Sequence, residues 1–290
     1  MNGMTPRSLR ELSNPRAQKF DSVARTVEPA LGLTGGRVSF DRTVASARSV
    51  RHALARVSAS MRRMLGRALP QTCVLCTAWS GDALLCPPCM NALPSLSPAC
   101  PACAGPSPAS TLCGACLKRP PKFTTTIAAC SYAYPLDRLV QALKYEHRLA
   151  IAEPLGDKLA AAVRRSAASA PLPDALVALP LSATRQRERG FNQAIEIARV
   201  VGRRIGVPLA SGLVRTGNAP AQATLPWAER RRNVRGAFAC TASFAGRHVA
   251  IVDDVMTTGA TLEAAAGALL TCGAARVDAW VVARTPPPSA

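Results

Sequence analysis

The sequence predicts an α/β protein, with a mostly parallel sheet and helices on both faces, preceded by a small cysteine-rich zinc-ribbon module. Two observations lead to this fold class. From residue 124 onward, apolar runs typical of strands alternate with segments of helical periodicity. Before them, eight cysteines fall into four Cys-x-x-Cys pairs in a Pro-rich stretch. With 290 residues, the chain is long enough for one substantial domain and a smaller module.

The first part of the chain, residues 1–63, has no sustained helical or alternating pattern and is rich in Arg, Ser and Ala. We predict a disordered basic extension, although such an acid-poor composition is also typical of organellar transit peptides. The formal net charge of +19 suits nucleic acid or anionic metabolites as partners, and it also suits a solvated tail, which is the more common explanation. No apolar run could cross a bilayer and no secretory signal is evident, so we expect a cytoplasmic protein without membrane insertion.

The cysteine pairs lie within residues 64–118, where we predict a zinc-binding module. Zn²⁺ binds four thiolates in a tetrahedron, and each Cys-x-x-Cys turn supplies two of them. The first two pairs have the same separation as the last two, which favours two sites built from consecutive pairs. Crossed pairing, or one metal with spare thiols, remains open. The pairs come without histidine or an open position, so the zinc is predicted to be structural. The predicted ligands are Cys73, Cys76, Cys86, Cys89, Cys100, Cys103, Cys113 and Cys116.

The rest of the chain, residues 124–286, is predicted to form the α/β domain. Residues 213–240 are polar, basic and irregular. The predicted elements, in chain order, are a strand at 125–134, helices at 136–145 and 150–167, a strand at 175–181, a helix at 191–205, a strand at 249–252 followed by a helix, and a last strand at 277–283.

The strand at 249–252 leads into the stretch that carries the most chemistry. Asp253 and Asp254 follow it, at the edge where parallel sheets bind ligands, and a turn of small polar residues precedes the next helix. Free N–H groups at a helix N-terminus bind phosphate, and Gly259 lets the backbone approach closely. The carboxylates can accept hydrogen bonds from sugar hydroxyls and help to hold a hydrated Mg²⁺. An ordinary capped strand–turn–helix would need neither two acids nor so many small polar residues. The pattern therefore predicts a site for a phosphorylated sugar.

A basic motif at residues 180–193 follows the strand predicted at 175–181. It places Arg185 and Arg189 in a loop that should lie beside the acidic pair. Guanidinium groups bind phosphates bidentately and stabilise developing negative charge. Asn192 can cap the next helix or touch the ligand. Taken alone, the motif would be a solvated basic face, and only the acidic motif makes anion binding the better interpretation.

At residues 249–262 the chain resembles the PRPP-binding motif of the type I phosphoribosyltransferases. Four features occur in order: the Cys-x-x-Cys knuckles, residues 143–145 in the first helix, residues 189–193 and the acidic motif. Together they are similar to the ComF family of bacterial phosphoribosyltransferase-like proteins. The resemblance implies a Rossmann-like type I phosphoribosyltransferase fold for residues 124–286.

The resemblance also implies roles for individual residues. Asp253 and Asp254 would hold the ribose 2′ and 3′ hydroxyls, and they are candidate catalytic residues. Arg185 and Arg189 would be catalytic at the departing pyrophosphate, and Lys144 would also contact PRPP. The remaining PRPP-binding positions, around the 5′-phosphate, are Val255, Met256, Thr257, Thr258, Gly259, Ala260 and Thr261. A flexible hood is expected within residues 215–238, with Gln222, Arg230, Arg231, Arg232 and Asn233.

We therefore expect an enzyme that binds PRPP with Mg²⁺, transfers the phosphoribosyl group to an unidentified acceptor and releases pyrophosphate, with Zn²⁺ as a structural ion. The family's role in competence implies a link to DNA uptake, with single-stranded DNA or the competence machinery as partners. The alternative is a non-catalytic accessory protein that senses PRPP or a nucleotide, or that binds single-stranded DNA. The sequence shows no clear general base, which keeps the alternative open, whereas the aromatic content of 4% disfavours base stacking.

Overall fold

A computed structural model of the chain describes residues 71–96, 98–167, 170–216 and 236–286. The predicted basic extension, residues 1–63, lies outside the described residues. The same is true of the hood positions Gln222, Arg230, Arg231, Arg232 and Asn233.

The described strands and helices form a cysteine-rich part followed by an α/β part. The cysteine-rich part contains β1 (Gln71–Thr72), β2 (Trp79–Gly81), α1 (Pro87–Asn91) and α2 (Gly114–Lys118). The α/β part contains, in chain order, β3 (Thr126–Ser131), α3 (Leu136–Tyr145), α4 (Ala152–Ala167), β4 (Ala175–Ala178), α5 (Ala183–Arg189), α6 (Gln193–Ile205), β5 (Leu209–Ala210), β6 (Leu213–Arg215), β7 (Phe238–Cys240), β8 (His248–Met256), α7 (Ala260–Thr271) and β9 (Arg276–Arg284).

The central sheet has the order β3-β9-β8-β4-β5, and each neighbouring pair is parallel. Helices α3, α4 and α6 pack on one face and α7 packs on the other. In the middle strand β8, Ala250 and Val252 belong to the first core, while Val249 and Ile251 belong to the second. A strand buried on both faces needs an unbroken apolar run, which is the pattern that predicted it. The predicted parallel α/β sheet is confirmed.

The two halves of the cysteine-rich part pack differently. Cys73, Leu85 and Leu93 of the first half are buried in the same core as α3 and α4. The second half has a small core of its own and is tied to the start of β3, where the Thr126 N–H donates to the Pro101 carbonyl at 2.9 Å. The Thr126 hydroxyl also donates to the carbonyl of Ala102 at 2.7 Å. Both halves are thus anchored on the α/β part.

The strand that carries the acidic pair is longer than predicted. β8 continues through both aspartates to Met256, because Asp253 and Val255 keep their register with Val281 and Ala283 of β9. By contrast, β4 ends at Ala178 and not at residue 181. Pro180 follows soon after, and proline has no N–H with which to extend a ladder.

The basic motif is a short helix and not the predicted loop. Ser182 caps α5, since its hydroxyl accepts a hydrogen bond from the Arg185 N–H at 3.3 Å. Gly190 ends the helix in the left-handed region, with φ of 68°. Asn192 then caps α6 by accepting from the Ala194 N–H at 2.9 Å, so α6 begins at Gln193.

The region predicted to be irregular, residues 213–240, contains described structure at both of its ends. Strands β6 and β7 pair antiparallel there, with Leu213 opposite Cys240 and Arg215 opposite Phe238. Three residues a side is too short for an alternating pattern to be recognised. None of the helices in the described residues is long and apolar enough to span a membrane.

Candidate functional site

The acidic pair lies at the carboxyl end of β8, in the middle of the sheet, and Lys144 reaches it from the last turn of α3. Lys144 comes directly after the buried Leu143 of α3, and its ammonium group forms an ion pair with Oδ2 of Asp254. The side chains of Lys144 and Asp254 are 18% and 4% exposed, so this ion pair is largely buried. Buried charges persist in proteins when they are paired.

The two aspartates have opposite electrostatic environments. Burial and the neighbouring Asp254 raise the pKa of Asp253 well above its ordinary value. Burial would also raise the pKa of Asp254, but the Lys144 ammonium outweighs it and lowers this pKa. Burial would in turn lower the pKa of Lys144, but Asp254 and then Asp253 raise it. The site therefore holds one firmly ionised carboxylate beside one that keeps its proton more readily.

The turn after β8 consists of residues 257–259, and Gly259 caps α7 with φ of 78°. A Cβ atom at this position would come within 2.6 Å of Cε of Met256, which would have to shift, and the left-handed backbone would be strained for any residue other than glycine. The Thr258 hydroxyl accepts from the Ala260 N–H at 3.2 Å. Ala260 and Thr261, which we predicted within the turn, form the first turn of the helix. The arrangement presents a helix N-terminus beside two carboxylates.

Two of the predicted PRPP-binding residues can offer only backbone groups to a ligand. The Met256 side chain is buried, and Val255 packs against the core. Thr257 is exposed, and Thr258 and Thr261 are partly exposed, so their hydroxyls remain accessible.

The two candidate arginines of α5 lie in different surroundings. The Arg189 guanidinium is 5.3 Å from the centre of the Tyr145 ring, and its Nη1 donates to Oε1 of Gln193 at 3.1 Å. The Arg189 guanidinium lies near enough to Lys144 for its positive charge to act against the rise in the pKa of Lys144. Arg185 instead lies near Arg215 of β6. The structure thus places Arg189 near Lys144 and Arg185 near Arg215.

Sequence reasoning missed Arg215. Burial and the nearby Arg185 lower its pKa, and among the described residues its buried Nε has no hydrogen-bond partner. Its guanidinium lies 5.5 Å from the centre of the Phe238 ring. Two neighbouring guanidinium groups are a typical anion-binding arrangement. No local signal identified Arg215, because it lies in a segment that appeared irregular.

An aromatic group beside Lys144 was also missed. Tyr145 is 68% exposed, and the rings of His147 and Phe191 meet edge to face with centroids 5.9 Å apart. The low overall aromatic content gave no reason to expect an exposed Tyr145 beside Arg189.

The eight paired cysteines form two clusters, Cys73/Cys76/Cys86/Cys89 and Cys100/Cys103/Cys113/Cys116, each with all sulfur atoms within 4.8 Å of one another. This is the consecutive grouping and not the crossed one. The Cys76–Cys86 and Cys103–Cys113 sulfur distances are 3.6 and 3.7 Å. Tetrahedral zinc with four thiolates requires about 3.8 Å between sulfurs, so both clusters fit the ion.

Backbone N–H groups point at sulfur atoms of both clusters. Burial would raise the pKa of Cys73, but N–H groups including those of Cys86 and Cys76 lower it to about 6. The pKa of Cys100 is lowered to about 7 in the same way. Such N–H groups stabilise the thiolates that bind zinc.

Two family profiles match the chain. The family described as Double zinc ribbon domain matches residues 64–117, and the family described as Phosphoribosyl transferase domain matches residues 190–288. With the two cysteine clusters, the first match assigns zinc a structural role. Among solved structures, the glutamine PRPP amidotransferase from B. subtilis complexed with ADP and GMP has a TM-score of 0.31 and 22% identity, over 45% of this chain and 25% of that chain.

Two relatives match more residues of the chain than either family profile does. DNA utilization protein YhgH of Escherichia coli (strain K12) is 38% identical over 157 residues, which are 53% of this chain and 69% of that protein. Competence protein F of Haemophilus influenzae is 34% identical over 159 residues, again 53% of this chain and 69% of that protein. With the phosphoribosyltransferase profile, these relatives show that the chain belongs to the ComF family of phosphoribosyltransferase-like proteins.

Proposed function

We propose that this protein binds PRPP with Mg²⁺ at the acidic edge of its sheet and transfers the phosphoribosyl group to an acceptor. The bond between the anomeric carbon and the pyrophosphate oxygen breaks as the acceptor atom bonds to that carbon. We assign the site to a phosphoribosyltransferase domain over residues 124–286 and the zinc to a module over residues 64–118. The observation that carries the proposal is the buried Lys144–Asp254 pair beside the glycine-capped N-terminus of α7.

The acidic pair would hold the ribose. Asp254 is kept ionised by Lys144 and so presents a fixed acceptor for one ribose hydroxyl. Asp253 is partly exposed and would accept from the other hydroxyl once its proton has left. Bound with PRPP, Mg²⁺ would neutralise phosphate charge, and an edge rich in carboxylate oxygens suits this cation. We expect the protein's role here to be positioning.

The two ends of PRPP carry phosphate groups, and both have basic or N–H groups nearby. The first turn of α7, with the hydroxyls of Thr257 and Thr258, would bind the 5′-phosphate. Arg189 would stabilise the charge on the departing pyrophosphate, and Arg185 with Arg215 would bind its far end. PRPP is a metabolite of the cell interior, so the proposal places the protein in the cytoplasm.

The proposed acceptor is linked to DNA handling, because the relatives carry the names DNA utilization protein and Competence protein F. The second candidate function is a PRPP- or nucleotide-sensing accessory protein that binds single-stranded DNA or the competence machinery without catalysis. The exposed Tyr145 beside Arg189 favours it, since bases stack on such side chains.

Binding of Mg-PRPP to the wild type, measured by calorimetry, tests the proposal. We expect Asp253→Asn, and Asp253→Asn combined with Asp254→Asn, to weaken binding at least about tenfold, because charge-assisted hydrogen bonds to ribose are lost. Asp157→Asn on the surface of α4 is the matched control and should bind normally. Equal affinity in all four proteins would refute the proposed site.

Pyrophosphate release then separates catalysis from sensing. The wild type is incubated with Mg-PRPP and a panel of nucleobases, nucleosides and single-stranded DNA. Release that depends on one acceptor supports the transferase. Tight PRPP binding without release for any acceptor would favour the accessory protein.

A further inference from the structure

Arg284, the last residue of β9, connects the second cysteine cluster with the phosphate-binding turn. Its Nε donates to the carbonyl of Cys103 at 2.9 Å. Its Nη1 donates to the carbonyl of Met256 at 3.2 Å and to that of Thr257. A third bond from Nη1, of 2.6 Å, reaches the carbonyl of Thr285. One partly buried side chain therefore holds a cysteine ligand's backbone and the start of the turn together.

These bonds fix the direction of the peptides that open the turn. In a trans peptide the carbonyl of one residue and the N–H of the next point in opposite directions. Because Arg284 holds the carbonyls of Met256 and Thr257, the N–H groups of Thr257 and Thr258 are turned away from it. These N–H groups belong to the turn that we propose for phosphate. The Met256 carbonyl also accepts from the Thr285 N–H at 3.0 Å, so it is chiefly the direction of the Thr258 N–H that depends on Arg284.

The other end of the connection depends on the metal. Cys103 closes a tight knuckle in which the Ala104 N–H donates to the Cys100 carbonyl, and the Cys100 N–H donates to the Gly105 carbonyl, both at 2.8 Å. A Cβ atom on Gly105 would lie 3.4 Å from the Cys103 sulfur and 3.8 Å from Nη2 of Arg284. Gly105 and the Cys103 carbonyl of the knuckle therefore both lie against the guanidinium. Thiolates holding a metal fix the shape of the knuckle, and their net negative charge attracts Arg284.

The first cluster has no equivalent connection within the described residues. Its half of the module is tied to α4, where Lys158 Nζ donates to the Met90 carbonyl at 3.3 Å, and to β3, where the Ser131 N–H donates to the Pro94 carbonyl at 3.0 Å. These contacts lead to the core and not to the turn. The two clusters thus differ in what they can influence.

We propose that Arg284 is a positioning residue that makes the phosphate-binding turn depend on the metal at Cys100/Cys103/Cys113/Cys116, and not on that at the first cluster. The expected effect on PRPP binding rests on the proposed function. The expected effect on the conformation of the turn does not, because it can be measured in the ligand-free protein.

Amide hydrogen exchange of the ligand-free full chain tests the connection at residues 253–262. Arg284→Met and Cys113→Ser should each speed exchange there at least about fivefold, within the usual range of coupling between sites. The double variant should exceed neither single variant, because both remove the same connection. Arg284→Lys keeps the positive charge but has fewer hydrogen-bond donors, so its exchange rate at these residues should lie between those of the wild type and Arg284→Met.

Two controls separate this connection from general loss of stability. Lys158→Met removes the contact of the first half and should leave exchange at residues 253–262 unchanged. Cys76→Ser damages the first cluster, and its effect at those residues should be much smaller than that of Cys113→Ser. Exchange in β4 reports whether the sheet as a whole has opened.

The proposal is overturned if Cys76→Ser and Cys113→Ser affect residues 253–262 equally, or if the Arg284 and Cys113 effects add. The same variants should weaken Mg-PRPP binding about fivefold to tenfold when the wild type binds it. If the wild type binds no PRPP, the proposed function fails while the exchange result still decides the role of Arg284.

Discussion

The two cysteine clusters and the acidic edge differ in how their side chains are brought together. Each cluster is built from two Cys-x-x-Cys turns close in sequence, with little core of its own around the second. The acidic edge combines Lys144 of α3 and Arg189 of α5 with the aspartates of β8, which only the sheet makes neighbours. The cysteine clusters therefore depend on a metal to hold their side chains together, whereas the acidic edge depends on the packing of helices on the sheet.

The largest effect should follow removal of zinc. Zinc contributes about 10–16 kcal/mol to the folding of small zinc-binding peptides, and the first half of the module shares its core with α3 and α4. We expect two zinc ions per chain by elemental analysis, and a strong drop in melting temperature when a chelator removes them. Zinc-free protein that melts like the untreated protein would show that packing alone holds the module.

Asn variants of the two aspartates test how much the acidic edge contributes to stability. Asp254→Asn breaks the ion pair of the largely buried Lys144 and leaves it only the neighbouring Asp253, so the free energy of unfolding should fall, by at most about 3–5 kcal/mol. Asp253→Asn removes a carboxylate that is costly to ionise, so near neutral pH it should not lower the free energy of unfolding and should instead raise it. Urea unfolding of both variants measures the difference. Equal losses would contradict the opposite electrostatic environments.

The pH dependence of stability should distinguish Asp253 from Asp254. The folded-state pKa of Asp253 is raised, so its contribution to stability is complete below the unfolded value of about 3.9 and is lost as pH rises through the folded pKa. The folded-state pKa of Asp254 is lowered, so its contribution is present above about 3.9 and is lost as pH falls through the folded pKa.

Wild type should therefore lose stability relative to Asp253→Asn as pH rises above about 4, while its Mg-PRPP affinity increases as Asp253 ionises. Unfolding and calorimetry at several pH values check both trends. A stability difference and an affinity that stay constant over this range would show that Asp253 does not titrate there.

The smallest effect should come from removing residues 1–63. They have no apolar periodicity with which to pack on either region. A chain that starts at Met64 should keep its zinc content, and its free energy of unfolding should change by less than about 0.5 kcal/mol. A larger loss would mean that this segment stabilises one of the two regions.

Local patterns in the sequence determined much of this protein. The unbroken apolar run before Asp253 predicted a strand buried on both faces, because the whole signal lies within a few residues. The spacing of the cysteines predicted zinc for a similar reason, since each Cys-x-x-Cys turn brings two sulfurs together without help from the rest of the chain.

Only the tertiary structure decided which distant groups meet. Nothing local indicated that Lys144 would pair with Asp254, that Arg215 would lie near Arg185, or that Arg284 would connect Cys103 with the turn at Thr257. Such contacts depend on strand order and on helix packing across the sheet. They join residues far apart in the chain, where neither periodicity nor spacing carries a signal, so they become fixed only when the sheet has formed.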